Sequence, residues 1–158
     1  MAKKNDTNRY KEIRNSSAHR DYFIDATLEC GVVLTGTEVK SLRAGQGQLK
    51  DTFVRFERDI PMLYHAHIAE YAFGNFANHK PHRPRKLLMK KNEITKWQHE
   101  VIAGGRTVIP LRLYFKQGLV KVEIGLARGK KQFDKREDIK KREDLREAQR
   151  MMRERQKY

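Results

Sequence analysis

Two runs of alternating apolar residues, Thr107 to Lys116 and Leu119 to Leu126, flank Gln117-Gly118, and no other pattern constrains the fold as strongly. Ile109, Leu111, Leu113 and Phe115 recur at every second position of the first run; Val120, Val122, Ile124 and Leu126 do so in the second. Period two around a two-residue, glycine-containing link predicts a long antiparallel hairpin with one buried face. Pro110 has no N–H to give to a ladder, so its position predicts an edge or a bulge.

The remaining elements are shorter. Tyr22-Phe23-Ile24 with Leu28, then Val32-Val33-Leu34, read as two strands broken at Cys30-Gly31. Thr35-Gly36-Thr37-Glu38 reads as a helix start, with Thr35 or Thr37 accepting from free N–H groups and Glu38 at the positive end. Val39 and Leu42 then face inward, and Ala44-Gly45 stops the helix. Residues 52–57 form a strand with Val54 and Phe56 on one face, and Arg58-Asp59 turns into a second strand from Met62 to Ala69. Residues 73–84, with Gly74, Pro81 and Pro84, form a loop. Residues 92–103 form a helix capped by Asn92, with Ile94, Trp97 and Val101 on one face and Gly104-Gly105 as its stop. The sum is a mainly β domain: a small closed antiparallel β-barrel with packed helices, or alternatively an open sheet covered on one face.

Three segments follow. Residues 1–18 carry little apolar content beyond Tyr10 and Ile13 and are expected to be a mobile basic arm. Residues 19–127 form the domain. Residues 128–158 form a basic tail whose apolar stripe of Leu145, Ala148 and Met152 is too narrow to hold it in place, so it is expected to be disordered alone and helical on a partner.

Charge gives the first indication of function. Lys and Arg number 35 against 20 acidic residues, a net charge of +15 concentrated in the arm, the middle loop and the tail. Clustered cations suit a phosphate backbone, whose condensed counterions they displace. A single cysteine excludes an internal disulfide and a zinc site built on several thiolates. No apolar run is long enough to span a membrane and no secretory leader is recognisable, so a soluble, cytoplasmic protein is expected. His65 with His67, and His79 with His82, lack a carboxylate or thiol at ligand spacing; neither metal nor cofactor is expected. Cys30 follows Glu29, which raises a thiol pKa, and no serine lies in a nucleophile motif, so the chain is not read as an enzyme. Asn78, His79, Arg83, Arg85 and Lys86 sit instead on a proline-stiffened loop suited to gripping phosphates and stacking on bases. Lys130, Lys131, Phe133, Lys135 and Arg136 interleave an aromatic ring with cations beyond the hairpin.

In order and spacing, HRDYFIDATLECG (19–31), LTGTEVKSLRAG (34–45), NHKPHRPRKLL (78–88), LRLYFKQGLVKVEIGLARGKK (111–131) and DKRED (134–138) closely resemble the family of small protein B, the bacterial partner of transfer-messenger RNA. The resemblance covers the chain from about residue 15 onward. It implies a closed barrel related to the oligonucleotide-binding fold and a non-catalytic adaptor that binds the tRNA-like domain of that RNA and supports its alanylation. It further implies delivery, with elongation factor Tu, to stalled ribosomes, where the tail probes the decoding region of the small subunit and the empty message channel. Functional association with alanyl-tRNA synthetase, and a monomer bound once per RNA, follow from the same resemblance. By position, Glu29, Leu88 and Lys121 are implied on the RNA face, with His19 and the 78–86 loop beside them. Asp134, Lys135 and Arg136 match the tail-root motif, and Met151 and Met152 lie near the functional end. Phe133 stands where the family commonly has His or Tyr, which keeps stacking but removes a hydrogen bond. A general basic ribosome-associated protein, and a metal-dependent nuclease using the histidine pairs, are the competing readings.

Overall fold

The computed structural model describes residues 9–155, apart from the side chain of Phe133. The hairpin is as the alternation predicts: β8 (Thr107–Lys116) and β9 (Leu119–Gly129) pair through Gln117 and Gly118, both with positive φ, 52° and 77°. Two left-handed residues match the twist of flanking strands, which is why a glycine stands at the second position. Around the hairpin lie β1 (Ile13–Arg14), β2 (Tyr22–Val32), β4 (Phe53–Glu57), β5 (Ile60–Tyr64) and β7 (Arg85–Leu88). The antiparallel order is β1-β8-β4-β5-β7-β2-β9, and β9 pairs again with β8, so the pairings of the six larger strands return on themselves. A separate two-stranded ladder joins β3 (Gly47–Gln48) to β6 (His67–Ile68).

Among the described residues four α-helices accompany the sheet: α1 (Ala18–Asp21), α2 (Gly36–Arg43), α3 (Lys91–Gly104) and α4 (Gln132–Arg155). The main core collects Leu42 of α2, Trp97 of α3 and inward residues of the strands, among them Leu63, Leu87, Val122 and Ile124. A second cluster, Ala18, Ile109 and Ala127 with Tyr22, Ile24 and Leu111, lies under α1. Two bulges create it. The register shifts between Ile24 and Ala26 on β2 and between Pro110 and Arg112 on β8. Each extra residue inverts the side-chain parity, so Ile109 and Leu111 pack with the second cluster while Leu113 and Phe115 enter the main core.

Several expectations need correction. Residues 22–34 hold one continuous strand as far as Val32, because β2 pairs with β9 as far as Gly31 and with β7 beyond; Gly31 is no break. Within the arm, Ile13 and Arg14 pair with Leu113 and Arg112, and the Tyr10 ring lies 4.8 Å from Phe115. Residues 1–8 of that arm lie outside the described residues. The strand expected from Met62 to Ala69 is interrupted at His65, whose φ is 64°. The N-cap of α3 is Lys90, while Asn92 Oδ1 accepts from the Glu93 N–H one residue on (2.9 Å). The tail lies in a single 24-residue helix, α4, exposed on every side beyond Asp138.

Candidate nucleic-acid interface

Register brings together the three positions that the resemblance selects. Gly31 of β2 stands opposite Leu88 of β7 on one side and Lys121 of β9 on the other, and Glu29 lies two residues back on the same strand. These residues line an open groove of about 980 Å³ whose far wall is the start of α3. Lys86, Lys90 and Lys91 add exposed cations to its rim. Leu88 is 54% exposed, an apolar side chain held outward on a strand whose alternate residues are buried. It lies across Gly31, where an added Cβ would meet Leu88 Cδ1 at 3.2 Å. Glycine lets the Leu88 side chain approach closely there, a role glycine often plays within a strand.

Glu29 is fixed by groups from the neighbouring hairpin. Its carboxylate accepts from the Tyr114 hydroxyl and from Lys116 Nζ at 3.0 and 3.3 Å. The Tyr114 hydrogen bond and then the Lys116 one hold its pKa below the ordinary carboxylate value. The Tyr114 phenol moves the other way, raised first by burial and second by Glu29. The result is an oriented anion beside Lys116 and Lys121, able to accept from base amino groups without meeting phosphate alone. Sequence reasoning missed Tyr114 and Lys116. The signal was available: both lie on the polar alternation of β8.

Asn78, His79, Arg83 and Arg85, expected to contact RNA, are engaged within the protein. Arg85 is 0% exposed: Nε donates to Glu38 Oε1 (2.8 Å), Nη1 to the Ala66 carbonyl (2.7 Å) and Nη2 to the Pro81 carbonyl (3.0 Å). Arg83 forks onto both oxygens of Glu38 at 2.7 Å each. Glu38, also 0% exposed, further accepts from the Thr35 N–H (2.8 Å), closing the first turn of α2. Burial raises its pKa, but the donors of Arg83, Thr35 and Arg85 outweigh that and leave it below the ordinary value. His79 is buried between the Thr37 hydroxyl and the Ile68 carbonyl, 2.9 Å each. Asn78 grips the backbone of Tyr71 twice, its Oδ1 accepting from N–H (2.9 Å) and its Nδ2 donating to the carbonyl (2.8 Å). Of Asn78, His79, Arg83, Arg85 and Lys86, Lys86 alone is exposed.

The tail root is tied to the body. Lys130 Nζ donates to the His19 carbonyl (2.8 Å) and pairs with Asp138, leaving its side chain 6% exposed rather than free for a partner. Lys135 lies 3.6 Å from Asp21, and the Lys130 N–H donates to the Asp21 carbonyl (2.9 Å). Asp134 accepts from the Lys131 N–H (3.3 Å). The His19 ring, Lys131, Arg136, Met151 and Met152 remain exposed.

The histidine pairs do not assemble. His65 packs edge-on against Phe53 (5.2 Å), His67 lies against His82 (4.8 Å), and His79 is buried apart. Among the described residues no group of three or more His, Cys, Asp or Glu could hold a metal ion. Cys30 is buried, its Sγ 3.4 Å from the Val122 carbonyl, and burial above all pushes its thiol up to about 12.

The family model "SmpB protein" matches residues 12–154. The chain belongs to the SmpB family. It is 51% identical over 144 residues to the "SsrA-binding protein" of Geobacillus kaustophilus (strain HTA426), covering 91% of this chain and 93% of that one. It is 52% identical over 143 residues to the "SsrA-binding protein" of Geobacter metallireducens (strain ATCC 53774 / DSM 7210 / GS-15), covering 90% and 94%. A solved chain described under "tmRNA-SmpB: a journey to the center of the bacterial ribosome" superposes on this SmpB-family fold with TM-score 0.65 and 45% identity, over 77% of this chain and 85% of that one. No helix among the described residues is long and apolar enough to cross a membrane.

Proposed function

We propose that the chain is a non-catalytic RNA-binding adaptor of trans-translation. Its groove holds the tRNA-like domain of transfer-messenger RNA, and its tail enters the decoding region of stalled ribosomes. The observation that carries this reading is the convergence of Glu29, Leu88 and Lys121 in one lysine-rimmed groove, in a chain whose relatives are named SsrA-binding proteins. The returning ring of strand pairings supports a closed barrel related to the oligonucleotide-binding fold. A rigid groove of this kind suits a folded RNA, with cations on the backbone, Leu88 against an apolar base face and Glu29 as an acceptor for base N–H groups.

The tail plays a different part. Beyond Asp138 its helix buries nothing, so it lacks the tertiary packing from which most helical stability in proteins comes. In the free chain it therefore frays from its tethered root outward and completes itself on the ribosome, with Met151 and Met152 as apolar anchors. Alanylation support and association with elongation factor Tu and alanyl-tRNA synthetase belong to the same proposal, as do a monomeric state and a cytoplasmic location.

Titration of a labelled tRNA-like RNA and a random hairpin across several salt concentrations tests the reading. It predicts tight binding of the first RNA, a steep salt slope and clear preference over the hairpin. Equal affinity for both would support the general basic ribosome-associated protein instead.

A further inference from the structure

The loop before Asn78 holds two phenylalanines in water. Phe73 is 80% exposed and Phe76 108%, the two most exposed large apolar side chains among the described residues. A flexible loop would fold such rings inward, but this one is built not to. Asn78 pins the backbone of Tyr71 through both its N–H and its carbonyl. Gly74 N–H donates to the Tyr71 carbonyl (2.9 Å) and Ala77 N–H to the Gly74 carbonyl (3.0 Å), closing the 3-10 turn Asn75–Ala77. A Cβ on Gly74 would meet the Asn78 side chain at 2.7 Å, so the clamp requires glycine there. The rings are thus presented, in a conformation fixed before any partner arrives.

Their surroundings select the partner. Tyr71 packs edge-on against Phe73 (5.6 Å) and carries Lys40 Nζ 5.3 Å from its ring centre. Lys80 and His82 follow, both exposed. Between Ile60 and Lys90 the one acidic residue is Glu70. Glu38, on the neighbouring helix, is consumed by Arg83 and Arg85. Exposed ring faces among cations with little acid match unpaired nucleotides, whose bases stack while their phosphates meet the charges. A lipid surface calls for a broader apolar face than two rings on one turn. The loop shares no residue with the Glu29–Leu88–Lys121 groove.

We propose that the Phe73–Phe76 loop is a second RNA contact, which stacks unpaired bases independently of the groove that holds the folded RNA. The test uses the full chain carrying Phe76→Trp. The native Trp97 is buried and serves as the internal reference. A twelve-nucleotide oligoadenylate should quench the new tryptophan saturably, whereas inorganic polyphosphate of matched charge should not. Phe73→Ala/Phe76→Ala should weaken oligoadenylate binding at least roughly fivefold, the lower bound for losing one base stack. Circular dichroism and the affinity for a tRNA-like RNA should stay unchanged. Leu88→Asp, by contrast, should weaken the tRNA-like RNA and spare oligoadenylate. Equal quenching by polyphosphate, or unchanged oligoadenylate affinity in the double variant, overturns the proposal. So does a double variant that binds every RNA normally while losing a ribosomal protein contact. Failure of the groove reading would show separately, as absent preference for the tRNA-like RNA.

Discussion

Removing Glu38 should damage this fold more than any single change on its surface. The Glu38 carboxylate receives three guanidinium hydrogen bonds, two from Arg83 and one from Arg85, and both it and Arg85 are wholly buried. Glu38→Ala leaves the Arg85 charge in the interior with two carbonyls and no counter-ion. Breaking a buried pair in this way costs about 3–5 kcal/mol. A small domain has a total stability of roughly 5–15 kcal/mol, so the loss is a large share of it. Urea unfolding followed by circular dichroism reads the change. With a slope of about 1–3 kcal/mol per molar, the midpoint should fall by at least about 1 M. The double replacement Glu38→Met/Arg85→Met should recover much of the loss, because it removes both charges together. A cost below about 1 kcal/mol for Glu38→Ala would refute the reasoning, since Arg85 would then have found water or another partner.

Four further outcomes are expected. The Glu38 pKa is depressed in the fold, so its contribution is complete above its ordinary value of 4.5 and is lost as pH falls through the depressed one; Glu38→Gln should flatten that limb of an acid-unfolding curve, and an unaltered limb would contradict this. Cys30 should resist iodoacetamide at pH 8 in the native state and react once urea unfolds the chain, because burial pushes its thiol up to about 12; rapid native labelling would show that the β2–β9 ladder opens. Gly118→Ala should destabilise by about 1 kcal/mol or more in thermal unfolding, since φ is 77° there; an unchanged midpoint would mean that the turn relaxes freely. Deleting residues 134–158 should leave RNA affinity nearly intact and abolish rescue of stalled ribosomes, whereas proportionate loss of both would unite the two parts.

What was legible in the sequence was what local pattern encodes. The β8–β9 hairpin, its Gln117-Gly118 turn, the irregularity at Pro110 and the α2 and α3 helices each rest on neighbours a few residues apart. Long-range facts were not legible. Gly31 looked like a break because its reason, the close approach of Leu88, lies 57 residues away. The inversion of parity at the two bulges has no local signature beyond the proline. The 78–86 loop looked like an RNA grip because cations advertise phosphate binding, while the carboxylate that neutralises two of them sits on α2. Locally, Glu38 reads only as a residue suited to a helix N-terminus. Nothing local reveals that it is buried. The groove residues came from resemblance, and their convergence follows from strand register that composition does not specify.

Leu88 is the most direct probe of the claim that a groove across β2, β7 and β9 receives folded RNA. Its exposed methyl groups can be followed by methyl NMR while a tRNA-like RNA is added to the full chain, with the buried methyls of Leu42 and Leu49 as internal references. The account predicts that Leu88 shifts and broadens with the stoichiometry of binding while the two references hold still. RNA that binds with equal affinity and leaves the Leu88 methyls unmoved would contradict it.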